Sequence, residues 1–284
     1  MVYLFSAVLC SVLVSVLLKL ARGRQLDVSQ MVTWNYLVAA SLTAMLLRPS
    51  LDSLSHGHAP WAPLLALAVI LPALFLILGR AVAQAGIVRS DVAQRLSLLL
   101  SLAAAFLFFG EQAGPLRLAG LGLGVLAIIG ITARSGSGDA QAQGSWRWLL
   151  AVWVGFASVD VLLKKVALSG TPSMAALLVC FSLAFVLMLA LQLWRHGSGR
   201  SRLSLRNLGA GALLGLLNFG NILFYVRAHQ HLADSPATVF AGMNIGVVVL
   251  GAIVGIAVFG ERTSLLNRIG LGLAVLAIAM IAVG

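Results

Sequence analysis

The sequence predicts an all-α, polytopic membrane protein with ten transmembrane helices in two inverted five-helix repeats. Three observations predict it. The chain has 284 residues, 61% of them hydrophobic and 10% charged, where a soluble domain carries roughly 25% charged residues. Ten segments reach about the 20 apolar residues that a spanning helix needs: 2–21, 30–47, 62–85, 88–109, 116–133, 147–168, 172–194, 206–231, 235–258 and 266–283. And Phe109-Gly110-Glu111 returns 150 residues later as Phe259-Gly260-Glu261, each time ahead of a glycine-studded apolar run. No aqueous fold hides this much apolar surface, so lipid is the solvent. In lipid each backbone N–H must find its partner within its own segment, which leaves the helix as the open-chain solution.

The first segment opens on Met1-Val2-Tyr3-Leu4-Phe5 without a basic start or a small-residue cleavage site, so it is expected to stay as a helix. Helix 2 carries Trp34-Asn35-Tyr36, and helix 3 contains Pro72, which removes a backbone donor and predicts a kink. Gly220 lies near the corresponding place in helix 8, so the two are a candidate pair of hinges. Helix 4 holds Asp91, Gln94 and Arg95; helix 5 presents Gly120 and Gly124 on one face. Residues 134–146, rich in Gly, Ser and Gln, read as a flexible linker between a first repeat, 1–133, and a second, 147–284. Helix 6 brings Asp160 and Lys164, helix 8 brings Asn218, Asn221, Tyr225 and His229, and helix 9 brings Asn244. Helix 10 repeats the small-residue face with Gly270 and Ala274. Such faces let backbones approach closely, within one chain or across a dimer. Trp61, Trp146, Trp148 and Trp194 fall at segment ends, as interfacial aromatics do. Cys10 and Cys180 sit inside apolar runs and read as small core hydrophobes.

The duplication extends beyond its first motif. Val14 to Lys19 matches Val159 to Lys164 at an offset of 145, and Arg80-Ala81 matches Arg227-Ala228 at 147. Helices 2 and 7 match poorly. Five helices per repeat is an odd number, so the second copy enters the membrane from the opposite side. The net charge of +11 is compatible with a nucleic-acid binder, but the basic residues sit mostly in short loops, as in a polytopic protein facing an anionic leaflet. Loops 1–2, 3–4, 5–6, 7–8 and 9–10 carry eleven Arg, against Arg48, Arg117 and Lys165 on the other side. The positive-inside rule then puts both termini outside.

Charged side chains at the bilayer centre cost at least roughly 2.5 kcal/mol each, so those within the spans need a reason. Asp160 and Lys164, and likewise Asp91 and Arg95, are four apart with the acid first, a geometry that favours an ion pair. Two roles are open for each pair: a neutralised structural pair near a helix end, or a gate or coupling site. Lys19 has Ser15 where its twin has Asp160, so it is less well paired locally. It either snorkels to the headgroups beside Arg22 or draws an anionic group into a cavity. Arg80 and Arg227 suit interface anchoring. Gln94 and Asn244 correspond at an offset of 150; with Asn35, Asn218, Asn221 and Tyr225 they either glue helices together or line a solute path. His229 and His231 point away from each other on a helix and lack nearby ligands in sequence, which speaks against a metal; His56 and His58 read as solvated loop residues. Glu111 and Glu261 are expected to lie near the N-terminal dipole of the helix that follows each.

Ten helices, a doubled five-helix layout and an aromatic-Gly-Glu turn before a Gly-rich last helix resemble the drug/metabolite transporter superfamily, in its EamA-type branch. The runs Ala93-Gln94-Arg95-Leu96-Ser97 and Trp34-Asn35-Tyr36 are similar to a bacterial subgroup of it. The resemblance implies transport of a small metabolite or drug through a central cavity, often as export. It implies no cofactor, no metal and no covalent chemistry, and a bacterial cytoplasmic (inner) membrane.

From the residues alone, a secondary carrier is favoured over a membrane enzyme, since HExxH, paired deep aspartates and a Ser/His pair are all missing from the sequence. A pore is disfavoured because helices 5 and 10 are wholly apolar. A lipid or lipid-linked flippase on the same scaffold is the alternative. The expected partners are the bilayer and a small solute, anionic or zwitterionic if basic residues line the path. Nucleic acid is not expected, and the chain is a monomer or a homodimer. The substrate-path candidates are Lys19, Asn35, Gln94, Arg95, Asp160, Lys164, Asn218, Asn221, Tyr225 and Asn244.

Overall fold

Apolar runs with every backbone donor satisfied internally become helices, and the computed structural model, which describes residues 1–55, 60–109, 114–132, 145–234 and 236–283, contains no strand among them. The helices are α1 (Val2–Gly23), α2 (Val28–Leu42), α3 (Asp52–Ser55), α4 (Trp61–Ala85), α5 (Ile87–Arg95), α6 (Ser97–Phe109), α7 (Pro115–Thr132), α8 (Ser145–Leu168), α9 (Ser173–Gly197), α10 (Leu205–His231), α11 (Pro236–Ala257) and α12 (Leu265–Val283). Gly110, Glu111, His56, His58 and linker residues 134–144 lie outside the described residues; the end of the expected linker, Ser145-Trp146, already belongs to α8.

Six of the described helices are long and apolar enough to cross a membrane: α1, α4, α9, α10, α11 and α12. The other four expected spans differ in instructive ways. Segment 30–47 is α2 continued by a π turn over Thr43–Leu47. There the Thr43 hydroxyl donates to the Ala39 carbonyl at 2.7 Å, a side-chain bond that competes with the regular ladder. Segment 88–109 is two helices, with the break at Leu96. Segment 116–133 is the shorter apolar helix α7, and 147–168 is α8, which carries Arg147, Asp160, Lys164 and Lys165. Pro72 sits inside α4 without ending it.

The chain divides into two compact units, each drawing on both halves of the sequence: Met1–Lys19, Ile77–Ala157 and Gly220–Gly284 form the first, Leu20–Leu76 and Ser158–Phe219 the second. In the first unit α7 packs on α12. A Cβ at Gly130 would stand 3.0 Å from the Gly270 Cα, and one at Gly120 would stand 2.8 Å from Ile281 Cγ1. The small-residue faces therefore pack helix on helix within one chain. The same contacts show α7 and α12 running antiparallel, since residue numbers rise on one as they fall on the other. The Asn267 amide closes this pair by donating to the carbonyls of Gly130 and Ile131, both at 3.0 Å, at the C-terminal end of α7 where helix carbonyls lack partners. α5 and α11 are also antiparallel: Val88 lies at Gly255, Asp91 at Gly251 and Arg95 at Asn244.

In the second unit α2 packs on α9, again antiparallel, with Ser29 bonded to Gln192 and Tyr36 against Phe181. Tyr36 is fully buried, with Phe75 edge-on at 6.0 Å between ring centroids. Gly211 and Gly215 on α10 admit the backbone of α2 at Met31 and Asn35. One end of the unit is tied by a polar network absent from the sequence reading. Asp27 caps α2 by accepting from Ser29 N at 2.9 Å, meets Arg195 at 3.0 Å and accepts from Ser201 Oγ at 3.1 Å. Gln30 donates to Ser201 Oγ at 2.7 Å and to the Arg202 carbonyl at 2.9 Å.

Burial pushes the Asp27 carboxyl up, but Arg195, Ser201 and the Ser29 N–H together more than offset this and hold it below the ordinary carboxylate range. A group lowered in the folded state stabilises above its unfolded value, about 3.9, and that stability is lost as pH falls through the folded value. Asp27→Asn keeps a capping side chain but loses the charge. It is expected to flatten the acid limb of thermal stability below about pH 4, while Asp27→Ala, which also loses the cap, costs about 2 kcal/mol. Thermal unfolding in detergent across acid pH reads both.

Candidate polar site on helices α1, α5 and α11

α1 is mostly hydrophobic and carries a polar stripe at spacings of four: Ser11, Ser15 and Lys19. That spacing puts all three on one face. Each meets a polar group within the first unit. The Arg95 guanidinium donates to Ser11 Oγ at 2.7 Å and to Asn244 Oδ1 on α11 at 3.5 Å. Ser15 donates to Asp91 Oδ1 at 2.6 Å. The Lys19 ammonium lies 3.1 Å from Glu261 Oε1 and 3.4 Å from the Val82 carbonyl. Asn244 also donates to the Phe240 carbonyl at 2.9 Å, which fixes its amide.

Glu261 corrects two expectations. Lys19 is not short of a partner, because Glu261 supplies one. And Glu261 does not serve the helix that follows it. It accepts from Ile87 N at 2.7 Å and Val88 N at 3.1 Å, capping α5 from across the chain. The N-cap residue of α5 is Gly86, which has no side chain to do this and adopts φ +93. A Cβ at Gly86 would stand 2.5 Å from Glu261 Oε2, and one at Gly255 2.9 Å, so two glycines make room for the carboxylate. A carboxylate on the unbonded N–H groups of a helix start is favoured by both hydrogen bonding and the helix dipole.

Asp91 and Arg95, which interact electrostatically along α5, also bond across helices, with Ser15 on Asp91 and Ser11 and Asn244 on Arg95. The break after Arg95 is stabilised locally. Ser97 Oγ donates to the Gln94 carbonyl at 2.7 Å, and the Trp153 indole donates to the Leu96 carbonyl at 2.8 Å. Interrupted backbone in lipid needs such substitute partners.

The other candidates are distributed as follows. Gln94 is half-buried beside the break. Asn221 and Tyr225 lie on α10 in the first unit; Asn221 has a buried Oδ1 without a hydrogen-bond partner, and the Tyr225 ring meets His229 edge-on at 4.5 Å. In the second unit Asn218 donates to Asn35 Oδ1 at 3.2 Å, so this pair joins α10 to α2. Asp160 is exposed and Lys164 half-buried on α8. Arg80 is exposed and stacks 4.9 Å over Trp148. His231 stacks on Tyr3 at 4.8 Å. The sequence reading missed Ser11 and the cross-chain role of Glu261. The serine stripe was a readable signal, because four-residue polar spacing on an apolar helix marks one face; the reach of Glu261 had none.

Apolar helices of spanning length around a small buried ionic cluster define an integral, multi-pass membrane protein. Residues 1–133 match the model of the EamA-like transporter family. An uncharacterized protein of Haemophilus influenzae is 42% identical over 278 residues, covering 94% of this chain and 93% of its own. A crystal structure with 17% identity covers 97% of each chain at a TM-score of 0.57, a likeness of fold. The chain belongs to the EamA-like transporter family, part of the drug/metabolite transporter superfamily, and is a membrane transporter of that type.

Proposed function

We propose that the protein is a secondary carrier that moves a small metabolite or drug by alternating access between two inverted five-helix repeats, 1–133 and 147–284, joined by 134–146. One observation carries this reading. Three pairs of helices that correspond between the two halves pack against each other antiparallel: α2 with α9, α5 with α11 and α7 with α12. Inverted copies meet in this way. The family match covers residues 1–133, the span proposed as the first repeat.

Ten spans follow if α2 with its π turn, α5 with α6, α7 and α8 each cross once. The loop pairings join loops assigned to one and the same side, and the choice of side rests on the loop charges. The α1–α2 turn meets the α9–α10 loop through Asp27 and Ser201. The α4–α5 turn meets the segment after α11 through Ile87 and Glu261. Both pairs are loops assigned to the cytoplasmic side, which leaves the termini outside a bacterial inner membrane. The proposed solute is anionic or zwitterionic. Lys19 and Arg95 are the proposed selecting charges, and Gln94 and Asn244 are neutral neighbours of Arg95 on the path. Asn35, Asn218, Asn221, Tyr225, Asp160 and Lys164 are proposed as further polar path residues.

An overexpression screen against toxic amino acids, sugars, nucleosides and cationic drugs tests the proposal. The expected result is a changed growth profile for an anionic or zwitterionic compound, lost in Arg95→Gln. An unchanged profile throughout, with no flux in proteoliposomes over the same panel, refutes it.

A further inference from the structure

Asp91 is the one buried carboxyl among the described residues, 2% exposed. Ser15 donates to its Oδ1 at 2.6 Å. Its Oδ2 has no hydrogen-bond partner and faces Gly251 of α11, where a Cβ would come within 2.5 Å of it. An ionised carboxylate is acceptor-only and here has a single donor for two oxygens. Leaving a charged oxygen unsolvated in a low-dielectric interior is far less favourable than leaving a neutral hydroxyl so.

The neighbouring charges are few. Arg95, one turn along α5, is held by Ser11 and Asn244. Arg89, on the same helix, donates to Asn267 at 3.1 Å. From α1 comes Lys19, which lies on Glu261. Glu261 itself is a like charge at the start of α5. α11 has no ionisable side chain, and α7 has only Arg117, in its first turn.

We infer that Asp91 is a proton-carrying site of the transport cycle, neutral in the arrangement seen here and ionised when water reaches Oδ2. The inference rests on the carrier reading and deepens it by naming the coupling ion as a proton. The step is a proton exchange with water. An O–H bond forms at Oδ2 on loading and breaks on release, with no change of oxidation state. Access to Oδ2 requires α11 to draw away from α5 at Gly251, since the glycine now fills that side. Once ionised, Asp91 competes with Ser11 and Asn244 for the Arg95 guanidinium one turn away. Release of the proton therefore loosens the contacts that tie α5 to α1 and α11, and reloading restores them.

The test is an infrared pH titration of the purified protein in lipid vesicles, in heavy water and without solute, following the neutral-carboxyl C=O band. The chain has eight acidic residues, so the band is assignable. The expected result is a band in wild type that vanishes as pH rises and is missing in Asp91→Asn. Ser15→Ala, which removes the one donor to the charged form, is expected to move the titration to higher pH. It keeps the test open if Asp91→Asn does not fold. A band that persists in Asp91→Asn, or a Ser15→Ala titration that overlays wild type, overturns the inference. Failure of the carrier reading looks different: the growth screen and proteoliposome flux stay blank while the Asp91 band titrates normally. A growth phenotype that survives a protonophore unchanged removes the proton and leaves the carrier.

Discussion

Glu261→Ala is expected to be the most damaging single substitution, lowering stability by about 3–5 kcal/mol. The carboxylate holds Lys19 at 3.1 Å and the N–H groups of Ile87 and Val88 at 2.7 and 3.1 Å. Truncation strands an ammonium and two helix-start donors in a mostly buried place, and the penalty comes from those unpaired partners more than from the lost attraction. Glu261→Gln keeps an acceptor for one donor and is expected to lose less. In the double variant with Lys19→Met the stranded charge is gone, so part of the loss is recovered. Thermal unfolding followed by the six tryptophans resolves the order Ala, then Gln, then the double variant. Wild-type unfolding of Glu261→Ala would show that the cap contributes nothing. Gly86→Ala tests the same contact from its other side, since the new methyl would occupy the space of the carboxylate at φ +93.

The second large effect is expected at Gly270→Val. Its Cβ would stand 2.8 Å from the backbone nitrogen of Ile131 and 3.0 Å from the Ala127 carbonyl, so the obstruction is backbone and cannot rotate away. α7 and α12 must separate, at a cost of about 3 kcal/mol or more, read as loss of the monodisperse folded peak in size-exclusion chromatography. Gly272, two residues on, has nothing within 4 Å of its Cβ position. Gly272→Val is therefore expected to behave as wild type, and equal damage at both positions would point to lost helix flexibility in place of lost packing.

Much of the fold was legible because lipid simplifies the problem. Apolar length marks helices, and small residues four apart at Gly120–Gly124 and Gly270–Ala274 mark close packing. The interruptions were less so. The break at Leu96 carries no Pro or Gly, and it is stabilised by Trp153, 57 residues away in sequence. The π turn at Thr43 depends on one hydroxyl turning back on Ala39. In the candidate site, Arg95, Lys19, Gln94 and Asn244 stood out as costly polar groups in apolar runs, but their partners did not. Local spacing suggested Asp91 for Arg95 but not Ser11 and Asn244, which reach it from other helices; it suggested no acid for Lys19, and Glu261 stands 242 residues away.

By itself, then, the chain determined its solvent and its apolar helices, because these depend on composition and period along a single strand of residues. Tertiary structure alone decided which polar groups meet, that Glu261 caps α5 and not α12, and that Asp91 is sealed behind Gly251. A buried charge in lipid takes whatever partner folding brings within about 3 Å, and that choice is made between helices, where sequence spacing carries no information.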